Sequence, residues 1–202
     1  MDTHELQWIG EHAPAAAEMA AVVDKALAAH TQWDSLHHFM VLGADKTTGR
    51  VSPIEIAAIH TAMRPELYPT LMDRLMRTHL ATITNTNTST HTTVGALLQI
   101  EGHMVVHSPA DPLTLGEQAA IERREMKTVD RSVELAVVYA ADPGGRMWMA
   151  RKAREGDINE PAAIVANYSG GFADGLRRCV DLIAPAYLAA QRSPWARPKG
   201  RG

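Results

Sequence analysis

The sequence predicts an α+β protein: a mostly antiparallel sheet of about four to five strands with helices packed on one face. Three observations carry that expectation. Val133–Lys152 reads VELAVVYAADPGGRMWMARK, an alternating run that turns and returns, as a β-hairpin does. Val94 to His107 alternates over a second long stretch. Alanine-rich and amphipathic segments, near residues 14–30 and 172–187, follow helical spacing instead. The strands lie far apart in the chain or in a hairpin, which suits antiparallel pairing.

The elements follow in order. Residues 1–13 hold Trp8 and Ile9 and read as a docking or mobile N-terminal arm. Pro14 suits the first turn of a helix, where its missing N–H costs little. Met19, Val22, Val23, Ala26 and Leu27 then form one helical face, which His30 could extend. LHHFMVL, residues 36–42, reads as a short strand with His37, Phe39 and Val41 on one face and His38 and Met40 on the other. Ser52-Pro53-Ile54-Glu55 has the residues of a capping box and predicts a helix burying Ile56, Ile59 and Met63. Pro65 and Pro69 predict a break or a second helix through Leu71, Leu75 and Met76. The Thr/Asn-rich stretch 82–93 has little to bury and reads as a surface loop, or as one that orders on a partner.

In the second long strand Val94, Ala96, Leu98, Ile100, Met104 and Val106 share one parity, with Gly102 in register. Gln99, Glu101, His103 and His107 share the other. Thr114-Leu115-Gly116-Glu117 is a second capping-box signature, opening a helix to about Lys127 whose Glu122–Glu125 run reads as a solvated face. In the hairpin, Val133, Leu135, Val137 and Tyr139 share a face. Ala136, Val138 and Ala140 keep the opposite face apolar too, the mark of a central strand. Asp142-Pro143-Gly144-Gly145 supplies the turn and brings Tyr139 and Ala140 near Trp148. A polar turn over 154–159 and an ambiguous segment over 162–166 follow. The last helix buries Phe172, Leu176, Cys179, Val180, Ile183 and Tyr187, with Pro185 bending or shortening it. The end, 191–202, is a basic, proline-bearing tail with Trp195. No repeat or linker divides the 202 residues, so one domain is expected.

Composition narrows the class. An apolar fraction of 46% supports a real core, and a net charge of −3 gives no global field for nucleic acid. The single cysteine, Cys179, forms no internal disulfide and suits a reducing cytoplasm. Asp2, Glu5 and Glu11 at the start do not resemble a signal peptide, and no apolar run approaches the ~18 residues of a membrane span.

Chemically, Glu101 and His103 point the same way from one strand, and His37 or His38 could join them if their strands neighbour. Carboxylate and imidazole ligands suit zinc or another transition metal. Structural, hydrogen-bonded histidines are the alternative. Cys179 reads as inert core. Ser169 before Gly170-Gly171 could offer backbone N–H groups to an anion, or be a plain turn. Met147, Trp148, Met149 and Trp195 are candidate partner-binding residues, since methionine adapts and tryptophan anchors interfaces; packing in the sheet is the other reading.

WDSLHHFMVL, GALLQIEGH and VELAVVYAADPGGRMWMARK resemble segments of small alanine- and arginine-rich proteins of actinobacteria or their phages. The resemblance covers about half the chain and implies no activity, cofactor or site residue. No catalytic constellation is visible, and the well-patterned sheet, the methionines and the tryptophans favour an interaction surface, so the function expected is a non-enzymatic cytoplasmic protein-interaction or binding module without a cofactor. Its partner would be another protein or a second copy of itself, not a membrane; nucleic acid held by the basic tail over 191–202 is a third reading. The alternative is a metal-dependent enzyme, such as a hydrolase, with a His/Glu site on the sheet.

Overall fold

A computed structural model describes residues 14–33, 36–60, 63–86, 90–166 and 169–192. The expected arm over 1–13, Trp195 and the tail beyond Arg192 lie outside these. The class is α+β, and the sheet has six strands rather than four or five. They are β1 (His37–Asp45), β2 (Val51–Ile59), β3 (His91–Val105), β4 (Ser132–Ala141), β5 (Met147–Ala153) and β6 (Asn159–Ile164), all antiparallel in the order β2-β1-β3-β4-β5-β6. Four helices stand among the described residues: α1 (Ala16–Ala29), α2 (Tyr68–Thr86), α3 (Leu115–Glu122) and α4 (Gly171–Arg192).

Helices cover both faces of the sheet rather than one. α1 buries the predicted face, Met19, Val22, Val23, Ala26 and Leu27, against Leu97, Val138, Ala140 and Trp148. Met19, Val22, Val23 and Leu27 each contribute about 1.5–3 kcal/mol on burial. α1 touches both edge strands, β2 and β6, as well as β3, β4 and β5, so the sheet curls around it. Glu18 accepts a hydrogen bond from the Val51 amide on one edge, and Asp24 accepts one from the Ala162 amide on the other. Those contacts, with Pro53 and Pro161 in the same strands, blunt the two edges.

The opposite face carries α2 and α4. Met72 and Met76 of α2 and Leu176, Cys179 and Val180 of α4 pack on Phe39, Val41, Leu98, Val137 and Tyr139. The two helices cross closely, Gly175 lying over Met72. Two covered faces are what the apolar character of both sides of β4 requires.

Several local expectations give way to tertiary pairing. The Ser52–Glu55 segment is strand, not helix: Val51 to Ile59 pairs with β1, and Pro53 is tolerated because β2 is an edge. Residues 82–93 are largely regular. α2 runs to Thr86, with Thr82 donating from its hydroxyl to Thr78 O, and β3 begins at His91; residues 87–89 lie outside the described set. Val94 faces α1 instead of sharing a side with Ala96, because a bulge shifts the register where Leu42 and Gly43 meet Gly95 and Thr93. α3 stops at Glu122, short of Lys127. α4 continues through the exposed Pro185.

The hairpin forms as read, with Tyr139 opposite Met149 and Ala140 opposite Trp148. Gly145 takes φ +80° in its turn, and the buried Asp142 carboxylate accepts from the Arg146 amide and Nε. No helix among the described residues is long and apolar enough to cross a membrane.

Candidate functional site

The residues proposed as metal ligands are divided between the two faces. His37 lies on the α2/α4 side, beside Tyr68 and Phe172. Its Nε2 is 3.1 Å from Glu101 O, and its Nδ1 is 2.5 Å from the Tyr68 hydroxyl. A carbonyl only accepts, so Nε2 carries the proton and Nδ1 accepts from Tyr68. Both nitrogens are thereby occupied by a neutral ring. Burial lowers its pKa and pushes the Tyr68 phenol up to about 12.

The Glu101 side chain takes the other direction, toward the end of α1. There His30 Nε2 sits 3.1 Å from Glu101 Oε1, without hydrogen-bond alignment, while His30 Nδ1 is 2.5 Å from Gln99 Nε2. Lys152 donates to the His30 carbonyl at 2.6 Å. This group fastens the C-terminal end of α1 to β3 and β5. His38 pairs with Glu55 at 3.3 Å, and His103 stands opposite Glu134. Among the described residues no three His, Cys, Asp or Glu side chains gather to hold a metal ion.

A testable consequence concerns pH. Burial holds His30, His37 and His79 below the ordinary 6.5, for His30 against the opposing pull of Glu101. The unfolded chain takes up protons at these rings below pH 6.5 and the folded chain does not until lower pH. Stability is therefore full above 6.5 and falls as pH drops from 6.5 toward the lowered values. The urea midpoint is expected to be flat from about pH 8 to 7 and lower at about pH 5.5. A midpoint unchanged at the acid value would show that the rings are not held neutral.

Of the interaction candidates, Trp148 is 4% exposed and Met147 6%, packed on opposite faces of the sheet, so neither offers a free surface. Cys179 is buried and its thiol is pushed up to about 12 by desolvation, consistent with inert core. At Gly171 the start of α4 packs against the Pro65 carbonyl so closely that a Cβ would not fit.

Met149, half-buried, leads to a different site. α2 and α4 leave one part of their face of the sheet uncovered, and a cavity of about 700 Å³ opens there. Its floor is Ile100, Gly102 and Met104 of β3, Leu135 and Val137 of β4, and Met149 of β5. The walls are Met63 to Pro65, Phe172 at the start of α4, and Arg124 and Met126 after α3. Arg151 and Tyr139, with His37, Glu101 and His103 of the predicted ligand set, complete it. That volume falls within the range of small-molecule sites, and apolar walls with a few polar groups are their usual lining.

α3 is fastened so that Arg124 reaches this rim. Thr114 and Glu117 form the predicted capping box, and the Arg131 guanidinium, with the Thr114 amide and hydroxyl, pulls the Glu117 carboxyl down to about 2. The Glu117–Arg131 pair is 2.7 Å, and Arg131 also holds Asp111 and the Pro112 carbonyl. Met63, Arg64, Gly102, Arg124 and Met126 were not legible as site residues. The one signal in the sequence is Gly102, a glycine inside an otherwise well-patterned strand.

No protein-family model matches the chain, and no curated protein or solved structure is significantly similar to it.

Proposed function

We propose that the protein is a binding module without catalytic activity, and that its ligand enters the methionine-lined cavity on the α2/α4 face. Gly102 carries this reading. It sits in the interior of β3, paired with Leu135, where glycine costs about 0.5–1 kcal/mol relative to alanine. A Cβ there would meet no atom within 4 Å. Neither a turn nor a close backbone approach asks for glycine, so the space it leaves is the feature that needs explaining. Glycine in a strand interior commonly marks where a ligand comes close.

The lining offers chemistry suited to holding a ligand. Met63, Met104, Met126 and Met149 provide adaptable apolar contact, and His37 has both nitrogens engaged. The test uses an uncharged fluorescent probe of apolar pockets, N-phenylnaphthylamine, with Gly102→Phe as the blocking variant. Wild-type protein is expected to enhance the probe's fluorescence saturably. Gly102→Phe should lose that response while its stability holds or rises by up to about 1 kcal/mol, since phenylalanine suits strands and fills open space. Equal enhancement by both proteins, or none by the wild type, would remove the basis for this reading.

A further inference from the structure

We infer that the ligand is an anionic amphiphile, with an aliphatic body on the methionine floor and a carboxylate or phosphate head among Arg64, Arg124 and Arg151. The inference rests on the binding reading above and adds the ligand's charge. Three guanidiniums line the cavity. Glu101 also borders it, but its carboxylate lies against His30 on the far side of the sheet. Arg124 pairs with Glu66 and Arg151 with Glu160, and neither glutamate lines the cavity. Those carboxylates are 60% and 50% exposed. Both pairs are bidentate, but they lie at the surface where water and salt screen them, so a ligand anion can compete for the two guanidiniums.

Arg124 carries the inference furthest. α3 ends in a Schellman turn, in which the Arg124 amide donates to Ile121 O and the Glu125 amide to Ala120 O. Arg124 holds the left-handed position of that turn at φ 63°, the one positive φ among described residues that are not glycine. Helix termination selects glycine at this position, because a Cβ crowds the backbone there. An arginine is the less stable choice, and its side chain lines the cavity. Backbone strain kept at a pocket rim points to a role for the side chain it presents. A guanidinium is suited to that role, since its planar fork matches a carboxylate or phosphate.

The test is titration calorimetry on the full chain with four probes sharing one tail: decanoate, decyl phosphate, decanol and decyltrimethylammonium. Decanoate and decyl phosphate are expected to bind about tenfold or more tightly than decanol, the effect of one charge-assisted hydrogen bond. Arg124→Gly should erase that preference while its unfolding midpoint holds or rises. Arg64→Gln, at an exposed position, repeats the test without changing a turn. A preference for decanoate over decyl phosphate, or the reverse, tells a carboxylate ligand from a phosphate one. Equal affinity for all four, or preference for the cation, would overturn the anionic head and leave the cavity reading standing. Binding of none would overturn both.

Discussion

Gly171→Ala is expected to destabilise the protein by about 3 kcal/mol, an overpacking cost at the upper end of the usual range. A Cβ at this position would overlap the Pro65 oxygen and come within 2.6 Å of its carbonyl carbon. Both are backbone atoms, so no rotamer change relieves the clash. Either α4 or the 3₁₀ turn at Pro65–Leu67 must move. Phe172 and Met63 to Pro65 are walls of the cavity, so movement of either also spoils the binding site. Urea denaturation gives the stability and N-phenylnaphthylamine fluorescence the site. Stability within about 0.5 kcal/mol of wild type, the scale of an ordinary surface change, would show that the contact is not as close as described.

Trp148→Ala has an equal or larger expected effect, about 3–5 kcal/mol, as for other buried large-to-small changes. Trp148 is 4% exposed and fills the space between β5 and α1, with the Arg146 guanidinium 5.7 Å from its ring centre. α1 has no other means of covering the gap, because its own buried side chains are already packed. The same variant separates the two roles that sequence alone allowed this residue. A core tryptophan lowers the urea midpoint with or without a partner present. An interface anchor would leave the midpoint near wild type and change only association, which light scattering would detect.

Local pattern was enough to find most of the elements. The α1 face, the hairpin register, the Thr114 capping box and the buried position of Cys179 all follow from periodicity and turn chemistry over a few residues. Such signals depend on neighbours in the chain, and those are visible in a sequence. β2 failed for the same reason: Ser52-Pro53-Ile54-Glu55 is a persuasive helix start, and only pairing with β1 makes it a strand. The proposed ligand set failed likewise. Strand parity correctly put Glu101 and Gln99 together, yet whether His37 would face them depended on which side of β1 met which helix.

The cavity is further from sequence still. Gly102 is open only because α2 and α4 stop short of the β3–β5 floor, and Arg124 reaches the rim only because α3 ends one turn early. Empty space belongs to no residue, so no local pattern encodes it. By itself the sequence determined the α+β class, the apolar faces and the central place of β4, since each is set by side-chain period and burial. The tertiary structure alone decided that both faces are covered, that Glu101 and His37 look opposite ways, and that a cationic, methionine-lined cavity exists, because each depends on which distant segments meet.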